Sequence, residues 1–257
     1  MSQQTLPPEA YSYAGMYQLG QPVAVYRAAF RNSITMGIIC VLLGALFGAV
    51  AISGDSSGPS ILLMLFLALL CVAGVVYYLV YYPLVQGSWR IYGCADGLVL
   101  LKKNNAVACR WDQIAFVWQH IVTYYSYGIR TGTSFKYTIQ RTDGVKIVIT
   151  QTFRNVSQLG AQVQREVTSR LAPQALAAVR AGQTLPFGPF SLSGQGLATP
   201  REMIPWSEAP QVSASRGLVM VQRRGQRRGK SYGKVSAVPN VYVFLSVVEA
   251  LTKAQPR

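Results

Sequence analysis

Few side chains in this 257-residue chain are equipped for covalent or acid–base chemistry. The single histidine, His120, sits inside the apolar run FVWQHIV with no acid nearby in sequence, so it lacks the partner that would make it a general base. Nine Asp and Glu are scattered without the DxD or HExxH spacing that gathers a metal or pairs a base with its ligands. Cys40 and Cys71 fall in long apolar runs. Cys94 and Cys109 stand alone, with no close pair and no histidine, so the sequence points to reduced, buried thiols and to neither a zinc site nor a disulfide framework. Gly229-Lys230-Ser231 imitates the tail of a phosphate loop, but the upstream glycine is missing and no apolar helix follows. The chain reads as a non-enzyme that needs no cofactor and no metal.

One stretch does carry concentrated chemistry. In VQRRGQRRGKSYGKVS, Arg223, Arg224, Arg227, Arg228, Lys230 and Lys234 place six cations among three glycines and one tyrosine, Tyr232. Such a segment is expected to be an exposed loop between two strands, because its charges cannot be desolvated without matching acids. A solvated hairpin loop with no ligand is the plain reading; the functional one is a polyanion contact. Near an anionic leaflet each basic residue is worth about 1 kcal/mol. RNA or DNA is the rival polyanion, and a lone tyrosine gives little for base stacking.

The elements that must position this stretch follow from an uneven composition. Half of the chain is hydrophobic (51%), yet its net charge is +15. Residues 34–52 and 61–82 contain no charged residue and approach the roughly 20 residues that cross a bilayer as helix. They predict a transmembrane hairpin over 34–82, turned by SGDSSGPS, whose only charge is Asp55. Arg27 and Arg31 precede the first span and Arg90 follows the second, so the positive-inside bias puts both termini in the cytoplasm of a two-span cell-membrane protein. A cleavable signal ending at Ala49-Val50-Ala51 competes for the first span, but the 33 residues ahead of it are longer than a usual leader. Gly44 and Gly48 offer a small-residue face, either between the two spans or between copies of a homo-oligomer.

Residues 83–257 hold 22 Lys and Arg against seven Asp and Glu, which is the whole net charge. GLVLLKK, AVACRW, QIAFVWQHIV, FKYTIQ and VKIVITQ read as antiparallel strands separated by KNNA, YGIRTGTS and RTDG. The period then lengthens to 3.6: Val156, Leu159, Val163, Val167 and Leu171 form one helical stripe. The same events recur further on. GPFSLSGQGLAT, EMIPWSEAPQVSAS and GLVMVQRR are followed by a helix whose face is Val241, Phe244, Leu245, Val248 and Leu251. Each copy has a Gly-Leu pair (Gly97-Leu98, Gly196-Leu197), a Trp beside an acid-containing polar step (Trp111, Trp206), and an Asn-Val helix start (Asn155-Val156, Asn240-Val241) with asparagine as expected N-cap. This predicts an N-terminal segment 1–33, a first domain 83–171, a linker 172–185 in which Pro173 starts a new helix, and a second, shorter domain 186–257. The tryptophans are expected to be packing devices at one corner of each copy.

A strand meander closed by one amphipathic helix, with its IPWSE corner, resembles the pleckstrin-homology-like domains of bacterial membrane proteins. More narrowly, LGQPVAVYRAAFR, GLVLL with CRWDQI, and IPWSEAPQV with PNVYVFLSVVEAL resemble an uncharacterised family of bacterial two-span membrane proteins. The resemblance implies an α+β membrane protein with tandem pleckstrin-homology-like domains behind the hairpin, and no catalytic residue. Phosphoinositide-binding members of that fold use a basic loop nearer the start of the domain, whereas this one falls late in the second copy. The resulting expectation is a membrane-anchored, non-enzymatic module that binds lipid headgroups, anionic ones first, or a protein partner. The alternative is a regulatory subunit of an oligomeric transporter or channel, which the uncharged spans disfavour.

Overall fold

Pro7 and Pro8 open the first element, a short helix α1 (Pro8–Met16), with proline at a position that needs no N–H. The computed structural model describes residues 6–53, 58–103 and 105–254; Asp55, and with it the tip of the turn between the spans, lies outside them. After α1 comes strand β1 (Pro22–Arg27). The chain then leaves in α2 (Arg31–Ile52) and returns in α3 (Gly58–Val75), a π-helical turn at Val76–Tyr81 and α4 (Tyr82–Gln86). Strand β2 (Arg90–Cys94) pairs antiparallel with β1, with Arg27 opposite Arg90. The apolar hairpin is therefore an insertion between two hydrogen-bonded neighbours. The sequence reading set residues 1–33 apart from the domain that begins at 83; instead Pro22–Arg27 supplies that domain's first strand, a pairing across more than sixty residues that no local pattern announces.

Both apolar helices are long enough to span a membrane: Ser33–Ile52 has a mean hydropathy of 2.4 and Ser60–Gln86 of 2.7. They pack on each other and are otherwise bare. Gly44 lies against Cys71 and Gly74 against Cys40, small residues letting the two backbones close, whereas Gly48 has nothing near it. The π turn leaves carbonyls without their usual partners, and the Ser33 hydroxyl donates to one of them, Tyr78 O, at 2.5 Å. At this same end, next to the β domain, Tyr77 stacks on Tyr81 and Phe30 meets Tyr82 edge to face.

The first sheet continues through β3 (Gly97–Lys102) and β4 (Asn105–Arg110) in the order β1-β2-β3-β4. Its two faces are both covered. Ile91, Leu98 and Leu100 join the main core, while Tyr92, Val99 and Leu101 pack under Ala10 and Ala14 of α1, which is why these strands read as unbroken apolar runs. A single 3₁₀ turn, Trp111–Gln113, leads into a second sheet of β5 (Ile114–Ser126), β6 (Ile129–Arg141) and β7 (Lys146–Thr150). Helix α5 (Val156–Arg180) follows, burying Val156, Leu159, Val163 and Val167 as the stripe requires. It runs straight through Pro173, which was expected to begin a new helix. Leu176 and Val179 extend the stripe onto the core, and that packing outweighs the one backbone bond proline removes.

The second copy repeats this order without the insertion. Strands β8 (Leu185–Phe187), β9 (Phe190–Leu192), β10 (Gly196–Ala198) and β11 (Met203–Pro205) form a four-stranded sheet, shorter than the first as expected but complete. A 3₁₀ turn at Trp206–Glu208 leads to β12 (Gln211–Ser215), β13 (Leu218–Gln222) and β14 (Lys230–Lys234), and α6 (Val241–Lys253) closes it. Where β1 and β2 are separated by the helical hairpin, β8 and β9 are joined by Gly188 and Pro189 alone.

The repeated tryptophan phrase is a corner, built twice in the same way. Trp111 is 2% exposed and its indole N–H donates to Ala95 O at 2.9 Å; Trp206 is 4% exposed and donates to Ser193 O at 2.9 Å. In each copy a glycine lets a facing carbonyl approach: a Cβ on Gly97 would collide with Cys109 O, and one on Gly196 with Ile204 O. Asn155 and Asn240 also match, each at the N-cap position of its helix as expected. Both adopt the left-handed conformation, φ 55° and 50°, which asparagine tolerates better than most residues, and neither side chain caps its helix. Asn240 does something else. Its amide donates to Ala115 O and accepts from Val117 N, both at 2.8 Å, while its backbone N–H donates to Val117 O. It thereby completes part of the free edge of β5 and ties the second copy to the first, and one continuous core runs through both.

Two outcomes follow from this architecture. A chain beginning at residue 83 lacks β1 and α1 and should melt well below one in which Phe30–Gln86 is replaced by a two-residue turn like that at Gly188–Pro189; circular dichroism and size-exclusion chromatography compare them. Trp206→Ala should cost about 3–5 kcal/mol in denaturant unfolding, the usual penalty for emptying a buried aromatic site.

Candidate functional site

The basic stretch does lie between two strands, but its six cations are not equivalent. Strand β13 alternates buried Val219 and Val221 with half-exposed neighbours, and the chain leaves it at Arg223 and returns at Lys230, so the loop itself is residues 223–229. It is held at several points. Gln226 N–H donates to Arg223 O at 3.0 Å, the Gln222 side chain donates to Gln226 O at 2.7 Å, and Arg224 N–H donates to Glu208 O at 3.0 Å. Arg224, Arg227 and Arg228 project from this loop into solvent, and Lys230 and Lys234 are exposed on β14.

Arg223 departs from the expected role. Its side chain is 22% exposed and bridges Glu202 and Glu208, the latter at 3.2 Å. Tyr232, which is buried, donates its hydroxyl to Glu202 at 2.7 Å, and the Arg201 guanidinium lies 5.8 Å from the Tyr232 ring centre. The hydrogen bond from Arg223, then that from Tyr232, holds the Glu202 carboxyl below the usual carboxylate range. The same bond pushes the Arg223 guanidinium up, so it stays charged throughout. Arg223 is thus a strut between β11, the Trp206 corner and β13. Sequence reasoning missed it because its two acids lie 21 and 15 positions upstream, on other elements. With Tyr232 buried, the loop also has no free aromatic on which a base would stack.

Beside the loop opens a cavity of about 700 Å³ lined by Trp206, Gln211, Gln222, Arg223, Arg224 and Lys253. A concave site with cations at its rim can hold an anionic headgroup or a carboxylate by charge-assisted hydrogen bonds. The loop occupies one end of the β13–β14 hairpin; the other end, Gly217 and Lys234, borders a groove along β5. A family model described as a family of unknown function (DUF6585) matches residues 1–257. The chain belongs to that family. No curated protein and no solved structure matches it.

Cys94 and Cys109 are both buried in the first sheet of this family member. Burial pushes the Cys94 thiol up to about 11 and the Cys109 thiol up to about 12, where almost no thiolate exists at neutral pH. Among the described residues no three His, Cys, Asp or Glu side chains converge on a common point. His120 is exposed on β5, far in the chain from any acid.

Arg223→Gln should lower thermal stability, whereas Arg224→Gln, Arg227→Gln and Arg228→Gln together should leave it nearly unchanged; thermal melts separate the strut from the free cations. The strut also sets a pH dependence. Because the folded Glu202 pKa is depressed, its contribution is present above the ordinary carboxylate value of about 4.3 and is lost as pH falls through the lower, folded value. Acid titration followed by near-UV dichroism should therefore show wild type losing more stability below that point than Glu202→Gln does.

Proposed function

We propose that the protein is a membrane-anchored, non-enzymatic interaction module that holds two pleckstrin-homology-like repeats against the cytoplasmic face of a bilayer. The observation that carries the reading is the bare apolar hairpin inserted between β1 and β2. Helices of this length and hydropathy, packed on each other and unburied by the rest of the protein, leave their outer faces for lipid to cover. The repeat order, four strands, a corner, three strands and a helix, supports the pleckstrin-homology-like assignment for both copies. Orientation rests on the roots of the hairpin. Arg27, Arg90, Lys102 and Lys103 all lie at the end of the first sheet from which the helices leave, and Lys102 sits 4.7 Å from the Trp89 ring centre. Cations and aromatics at that level suit the cytoplasmic interface.

In this reading the ligand of the β13–β14 loop is an anionic lipid headgroup, met by Arg224, Arg227, Arg228, Lys230 and Lys234, with Arg223 holding the loop in shape. The chain should resist carbonate extraction from membranes. In spheroplasts, external trypsin should spare the loop until the membrane is opened. In reconstituted vesicles, cleavage at Arg224–Arg228 should slow when anionic lipid replaces zwitterionic lipid, and salt should erase the difference. Equal cleavage in both lipids would leave the anchor standing and remove the headgroup contact.

A further inference from the structure

The longest hairpin in the β domain is β5–β6. Strands β5 and β6 pair over their full length, from Ile114 opposite Arg141 to Ser126 opposite Ile129, whereas β7 accompanies β6 only from Lys136 to Gln140. Residues 121–135 therefore continue past the end of β7 as a two-stranded ribbon, whose β5 side (Ile121–Thr123 and Tyr125) borders the groove facing Arg216 and Gly217 of the second copy. Its direction is fixed by register. Strand β7 runs from Lys146 to Thr150, and just beyond it Thr152 O accepts from Ala29 N–H and Phe153 bridges Ala28, at the root of α2. Thr150 pairs with Lys136, and from there the ribbon continues the way β7 was heading, seven residues further, or about 23 Å. It points toward the end of the domain from which both apolar helices leave.

The tip carries bare aromatic and aliphatic side chains beside one exposed cation, Arg130, and an unusual backbone. Tyr124 is 55% exposed, Tyr125 68%, Ile129 71% and Tyr127 fully so. The turn itself is Tyr127-Gly128, with φ 49° and 80°. A two-residue turn of this kind favours Asn-Gly or Gly-Gly, so a bulky aromatic is held in the left-handed region where glycine or asparagine would sit without strain. Strain and bare aromatic surface together mark a functional tip. No Asp or Glu occurs between Asp112 and Asp143, so nothing on the ribbon repels an anionic surface.

We infer that the β5–β6 tip, Tyr124, Tyr125, Tyr127 and Ile129, dips into the headgroup region of the same bilayer that holds the α2–α3 hairpin. It would act as a third attachment point that fixes the tilt of the domain. The inference rests on the anchoring reading above. Tyrosine suits that depth, its ring reaching the acyl boundary and its hydroxyl staying among headgroups.

The test uses the full chain with Cys40 and Cys71 changed to Ala; Cys94 and Cys109 are buried and remain unlabelled. An environment-sensitive maleimide dye is placed at Tyr127→Cys, or at Lys146→Cys on the opposite end of β6–β7, and the protein is reconstituted in phosphatidylcholine–phosphatidylglycerol vesicles containing nitroxide-labelled lipid. Quenching at position 127 should exceed that at 146 severalfold. With Tyr124→Ser, Tyr125→Ser and Ile129→Ser added, the quenching at 127 should fall to the level of 146 while the helices still resist carbonate extraction. Equal quenching at the two positions, with the helices still inextractable, overturns the tip contact and leaves the anchor intact. Dye emission at 127 that shifts with protein density and not with nitroxide lipid overturns it in favour of a second copy of the chain. Extraction of the helices by carbonate would overturn the anchoring reading itself.

Discussion

Everything in this molecule is arranged around one hydrogen-bonded pair of strands, β1 and β2, whose connection has been replaced by two long apolar helices. Adjacent strands lie about 4.8 Å apart, so an insertion between them must start and finish at nearly the same place. A helical hairpin satisfies that condition, since it leaves and returns side by side. Gly44, Gly74 and the two cysteines facing them let it close tightly enough to do so. Because two connections enter the sheet, one at Arg27 and one at Arg90, the β domain cannot swivel about a single tether as it would behind a flexible linker. The geometry of that root is what turns an apolar hairpin into a fixed platform.

The second copy shows what the first would be without the insertion. Gly188-Pro189 closes β8 to β9, and the rest of the order is kept down to the indole hydrogen bonds of Trp111 and Trp206. The corner is repeated because it solves the same problem twice. A chain leaving a four-stranded sheet must turn within three residues, bury a large ring and satisfy its N–H, and a glycine must stand opposite so that the facing carbonyl can approach. Asn240 then does for the pair what neither copy does alone, presenting an amide shaped like a peptide to the open edge of β5. An edge left unpaired at that point would expose backbone groups to association with other chains.

Charge is divided by the same logic. The domain has too few acids to neutralise its cations, and the ones it has are spent on shape: Glu202 and Glu208 on Arg223, Asp143 on Arg141, Glu9 on Arg90. What is left over, the exposed face of the β13–β14 loop and Arg27, Lys102 and Lys103 at the hairpin root, has no ion-pair partner among the described residues.

The sequence by itself determined the apolar spans, the duplication, the two helical stripes and the tryptophan corners, because each is a local pattern of period, composition or short motif that repeats within a few residues. It determined the loop's position between two strands for the same reason. The tertiary structure alone decided that Pro22–Arg27 belongs to the first sheet, that Arg223 is a strut rather than a free cation, and that the Asn240 side chain, at the start of its helix, closes an edge of β5 instead of capping. Each depends on partners far away in the chain, and pairing across a long insertion leaves no periodic trace. The β5–β6 ribbon was misread for a different reason. Its Gly128, Gly132 and Ser134 look like breakers, but Thr123, Tyr124, Tyr125, Ile129 and Thr133 are strong strand formers, and cross-strand pairing over thirteen residues on each side overrides the local signal.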